Sequence, residues 1–88
     1  MELEQEVRRG REAAELLEHP LLVEAFGRMR AELHDAWHQS PARDIEAREM
    51  VYLSVKMLGK IEGFLKEFVA TGKMASMQLK EGESSVRH

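Results

Sequence analysis

Eighty-eight residues, 43% of them apolar and 33% charged, carry sixteen acids against thirteen Lys and Arg for a formal charge of -3. A chain this short has room for one core at most, which excludes barrels and wrapped-sheet enzymes, while its apolar content argues against disorder. The acidic balance is the wrong sign for a domain that lives on phosphate contacts, and without cysteine there is no disulfide framework, thiolate nucleophile or cysteine-based zinc site.

Ala, Leu, Glu, Met, Lys and Arg dominate, no stretch alternates apolar with polar long enough for a strand, and an all-α fold follows. A first helix over residues 2–18 aligns Leu3, Val7, Ala14 and Leu17 on one stripe, with Gly10 where another apolar residue belongs. That glycine weakens a helix by about 1 kcal/mol relative to alanine. With six Glu against Arg8, Arg9 and Arg11, the segment reads as solvated, prone to fray and poor as a lid.

Pro20 lacks an amide donor and pushes His19 out of helical backbone, so the first helix ends there and a second begins with proline in its first turn. The second helix, residues 20–38, carries Leu22, Phe26, Met29, Leu33 and Ala36 at steps of four, three, four and three, extended by Trp37. This is the seam of helices packed side by side. Residues 39–44 (Gln-Ser-Pro-Ala-Arg-Asp) form a connector in which Ser40 or Asp44 can cap the next helix, and a link this short makes an antiparallel hairpin. The third helix is expected over residues 45–71, stopped by Gly72 in the left-handed conformation. Lys73 to Leu79 would add a weak turn or two, and residues 81–88 have the composition of a disordered tail beyond a single helical domain over residues 1–80.

The third helix holds an apolar surplus. Ala47, Val51, Val55, Leu58, Leu65 and Val69 form one stripe, the natural partner for the second helix. Met50, Leu53, Met57, Ile61, Phe64 and Phe68 form another beside it. Together they cover roughly 200° of the circumference, where one-sided burial needs little more than ~100°. Either the first helix folds back to close a three-helix bundle, or the second stripe is a self-association surface and the working unit is a homo-oligomer. The opposite face holds Lys56, Lys60 and Lys66 with Gly59 and Gly63. It reads as a solvated face, or as a phosphate strip or a close helix approach across the glycine pair.

Chemistry is scarce. His34 and His38, four apart on one face with Asp35 between them, could grip a metal, but no third ligand has a usable local spacing. They read as polar margins of the core, with no metal or cofactor expected. No serine has a histidine-plus-acid context, so no catalytic residue is assigned and the chain reads as a non-enzyme. Trp37 and Tyr52, with polar handles, suit core anchors near the connector. The longest apolar runs, Leu21–Val23 and Met50–Leu53, are far short of a membrane span. The acidic opening, Met1 to Gln5, argues against a secretory leader.

Three stretches, Leu16-Leu17-Glu18-His19-Pro20-Leu21-Leu22-Val23-Glu24-Ala25-Phe26, Ala36-Trp37-His38-Gln39-Ser40-Pro41-Ala42-Arg43-Asp44 and Thr71-Gly72-Lys73-Met74-Ala75, together resemble small helical proteins of tailed bacteriophages and prophages. The resemblance spans residues 11–79. It implies the packaging and head-assembly part of a phage genome, and a loose likeness to the helical core of small terminase subunits. It further implies work in the bacterial host cytoplasm, against phage packaging or head proteins. Lacking a helix-turn-helix or a basic N-terminal reader, the chain is not expected to touch nucleic acid directly. A small regulator or inhibitor that clamps a host protein with the same apolar face is the alternative.

Overall fold

The computed structural model describes residues 2–86. Among these residues there are three helices and no strand: α1 Leu3–Glu18, α2 Pro20–Gln39 and α3 Ile45–Val86. His19 makes the joint between α1 and α2. Its backbone is extended (φ -64°, ψ 125°), as the following proline requires. Its N–H still reaches the Leu16 carbonyl at 3.1 Å, and its own carbonyl accepts from Val23 at 3.0 Å. The imidazole Nδ1 accepts from the Leu21 N–H at 3.1 Å. One residue therefore closes α1 and caps α2.

At the far end of α2 the Ser40 N–H is shared between the Ala36 and Trp37 carbonyls, and its hydroxyl donates to the Trp37 carbonyl at 2.7 Å. Asp44 takes the other role open to the connector. Its Oδ1 accepts from the Ala47 N–H at 3.1 Å, satisfying one of the donors that every helix start leaves over.

Residues ascending along α1 and α2 meet residues descending along α3. Gly10 lies against Gly72, Arg30 is ion-paired with Glu62, and the Arg48 guanidinium stands 4.1 Å from the Trp37 ring centroid. The fold is thus an antiparallel hairpin of two arms, one broken at Pro20 and one continuous. The helix α1 packs on the C-terminal half of α3, and α2 lies along the N-terminal half. At about 1.5 Å per residue the 42-residue α3 accounts for most of the long dimension of a 69 × 25 × 15 Å particle. Helices are ~10–12 Å across with side chains, so the remaining two dimensions describe a layer two helices wide and one helix deep. The radius of gyration is 19.3 Å, against about 12 Å for a compact chain of this length.

Three expectations from the sequence are corrected. The third helix does not stop at residue 71, and Gly72 is not left-handed; no glycine among the described residues has a positive φ. Lys73 to Glu81 continues as helix because it is rich in good helix formers and because Gly72 serves in a helix contact. Exposed Glu81, Gly82 and Glu83 belong to the same helix, while residues 87 and 88, the end of the expected tail, lie outside the described residues. Finally, α1 is not a frayed lid: it makes the most extensive helix pairing of the fold, with α3. The missing side chain at Gly10 is what allows it.

Candidate functional site

The buried residues among those described are Gly10, Ala13, Gly72 and Ala75. All four sit where α1 crosses α3. A β-carbon on Gly10 would fall 2.8 Å from the Phe68 carbonyl oxygen and 2.9 Å from the Gly72 Cα. One on Gly72 would fall 2.9 Å from the Gly10 Cα and 3.0 Å from the Glu6 carbonyl oxygen. The two backbones touch through a pair of matched patterns, Gly10-Arg-Glu-Ala13-Ala14 and Gly72-Lys-Met-Ala75-Ser76, each with small residues three and four apart on one face. Those repeated spacings were the available sequence signal for this contact. Gly59 and Gly63, the other pair considered, have open space around them.

This contact is made of small residues, and it leaves the large ones out. No large side chain among the described residues is fully buried. Met57 and Leu58 show how the surplus divides, since consecutive residues stand about 100° apart around a helix. Leu58 turns toward α2 and is half-buried, whereas Met57 is 60% exposed. The rest of the second stripe follows Met57: Met50, Leu53, Ile61 and Phe64 are between 50% and 68% exposed, and Phe68 is 37% exposed. Phe68 has cover from α1, through the Arg9 guanidinium 5.5 Å from its ring centroid. The closed three-helix bundle is therefore not the arrangement of this chain. Both arms lie in one layer, and Met50, Leu53, Met57, Ile61 and Phe64 on its flank stay at least half exposed among the described residues.

On the other flank α2 and α3 diverge around a trough of about 530 Å³. Leu33, Trp37, Val51, Val55 and Leu58 line it, with Tyr52 and His34 at its edge and the Arg30–Glu62 ion pair beside them. The first stripe is thus shared: its N-terminal part faces α2 across this trough. Val69, farther along, borders a cleft with Val7 and Ala14 of α1.

The total accessible surface is 7390 Å². A compact monomer of 10.1 kDa exposes about 5,300 Å². About 2,000 Å² of extra surface goes with the single-layer shape.

The remaining candidates stay local. The rings of His34 and His38 lie edge to face with centroids 4.5 Å apart. No group of three or more His, Asp or Glu side chains among the described residues could hold a metal ion. Lys56 lies over the Tyr52 ring, 5.5 Å from its centroid, and Lys60 and Lys66 are exposed. No helix among the described residues is long and apolar enough to cross a membrane. Comparison with protein families, with curated proteins and with solved structures finds no match to this chain.

Proposed function

We propose that the chain is a non-enzymatic, self-associating helical protein that works through protein contacts, with Met50, Leu53, Met57, Ile61, Phe64 and Phe68 seated against another copy. One observation carries this reading: a folded chain of 10.1 kDa with 7390 Å² of accessible surface and, among the described residues, no large buried side chain. Leaving a large apolar side chain in water forgoes roughly 1.5–3 kcal/mol. Marginal stability of ~5–15 kcal/mol cannot absorb many such losses. Obligate homo-oligomers resolve the problem by burying between copies what a monomer buries within itself, often with no stable folded monomer at all.

The open shape also supports a structural rather than a catalytic role. Ligand sites enclose most of a ligand's surface, whereas a layer one helix deep presents its faces to water. The resemblance of the proline break, the connector and the Thr71–Ala75 segment to small phage proteins supplies the setting, virion assembly or DNA packaging in a bacterial host cell. Sedimentation of the full chain at micromolar concentration should give a species heavier than 10.1 kDa, and Leu53→Glu with Phe64→Glu should lower that mass. A single wild-type species at the monomer mass overturns the proposal and moves the apolar face to a foreign partner.

A further inference from the structure

His34 and His38 stand one helical turn apart near the C-terminal end of α2, and both are exposed. Their ring centroids are 4.5 Å apart, with an interplanar angle of 65°. We infer that the pair chelates one divalent transition-metal ion of the class of Cu²⁺, Ni²⁺ and Zn²⁺, with water at the remaining positions of the ion. This goes beyond the self-association reading and does not depend on it, because both imidazoles belong to one chain and neither is part of the stripe.

The ring separation suits a chelate. A metal about 2.1 Å from a ring nitrogen stands roughly 3.2 Å from the centre of that ring, so two rings on adjacent positions of one ion, about 90–110° apart, have centres roughly 4.5–5.2 Å apart. The separation of His34 and His38 falls at the start of that range. Their edge-to-face tilt does not oppose it. The centre of an imidazole lies close to the line of its Cβ–Cγ bond, so rotation about that bond turns the nitrogens and leaves the centre in place. That torsion is broad in histidine. Each ring can aim a nitrogen at a shared point without movement of the helix, and four residues apart on one face is the spacing by which helical sites supply two histidine ligands.

The surrounding charges admit a cation. The carbonyl end of α2 is the pole of a helix that favours positive charge, and Asp35 adds an exposed carboxylate beside His34. Arg30, one turn before His34, is ion-paired with Glu62, and the Arg48 guanidinium is stacked over the Trp37 ring. The donors set the class of ion, since imidazole suits copper, nickel and zinc whereas Ca²⁺ and Mg²⁺ take oxygen ligands. No third His, Asp or Glu joins the pair among the described residues, so the protein holds the ion at two points and water completes the sphere. An ion joining residues 34 and 38 ties together the end of α2 beside the connector and stabilises the folded chain by linkage.

The chain has a single tryptophan, Trp37, next to His38 in sequence, so paramagnetic Cu²⁺ held by the pair quenches its emission without a label. The test titrates the full chain with Cu²⁺, then adds Zn²⁺, which takes the same donors without quenching, and uses Mg²⁺ as the control. His34→Gln and His38→Gln are measured beside the wild type, with circular dichroism to confirm that these exposed substitutions leave the helices intact. The expected wild type shows saturable quenching at one Cu²⁺ per chain, reversal by Zn²⁺ and no response to Mg²⁺. Because a chelate loses its joint hold when either donor goes, each variant should bind Cu²⁺ at least about tenfold more weakly. Variants that stay within about twofold of the wild type would mean an adventitious ion on one ring only, and would overturn the inference. So would the absence of saturable quenching, or an equal response to Mg²⁺, which would place the ion on carboxylates. The mass of the chain in solution tests the self-association reading separately, and neither result decides the other.

Discussion

Gly10 and Gly72 touch backbone to backbone: a β-carbon placed on either would lie 2.9 Å from the Cα of the other. No side chain can be accommodated there unless the helices separate. The contact joins the ends of the chain across more than sixty intervening residues, and the buried alanines Ala13 and Ala75 flank it.

Gly10→Ala and Gly72→Ala should each destabilise the fold by roughly 1–3 kcal/mol, the usual range for overpacking. Opposing this is the gain of about 1 kcal/mol that alanine brings to a helix interior, so the steric term must prevail. Thermal unfolding followed by circular dichroism reads the sign, and a raised midpoint for either variant would show that the helices can part cheaply.

Gly27→Ala offers the contrast. Nothing lies within 4 Å of the β-carbon it would add, so only propensity remains. We expect stabilisation of up to about 1 kcal/mol. A lowered midpoint would place an undetected neighbour, such as another copy, on that face.

The capping residues give a third prediction. The His19 Nδ1 accepts from Leu21 and the Asp44 Oδ1 from Ala47, each at 3.1 Å. Loss of either cap through His19→Ala or Asp44→Ala should cost about 0.5–2 kcal/mol. His19→Asp should keep the acceptor and retain most of the stability, and urea midpoints of the three variants test the ranking.

Salt separates apolar from ionic assembly. The Arg30–Glu62 pair is partly exposed, and such pairs contribute ~0–1 kcal/mol. Apolar interfaces between chains of charge -3 should hold or tighten as repulsion is screened. Sedimentation in ~1 M salt, where the Debye length is about 3 Å, should therefore give at least the mass seen in dilute buffer. Dissociation under those conditions would mean that charge pairs hold the copies together.

Much of this architecture can be read from the sequence because local chemistry dictates it. Pro20 forces the break, Asp44 offers an acceptor at the right distance from Ala47, and the steps of Leu22, Phe26 and Leu33 mark the half-buried face of α2, although Met29 of the same seam is 46% exposed. The double width of the apolar surface on α3 was also legible, and Phe64 and Met57 are exposed as one neighbouring arm requires. What sequence reasoning misread was glycine. A Gly after a long helical run usually ends it, and a Gly within one usually weakens it. Here Gly72 and Gly10 explain each other, a relation between distant positions that no local window contains. The same mismatch made α1 look expendable, since its worth lies in close backbone approach rather than in side-chain burial.

The unbroken run of α3 acts as a ruler with a phase. It carries the Gly72 clasp and the Glu62 tie at fixed spacing, while the opposing arm reaches them through a joint at His19. Deleting one residue between positions 62 and 72 would draw those two fastenings closer by about 1.5 Å and twist them about 100° out of step. Deleting a whole turn would nearly restore the twist but not the reach. Length and rotation of a single rod are therefore the quantities this small protein has least freedom to change.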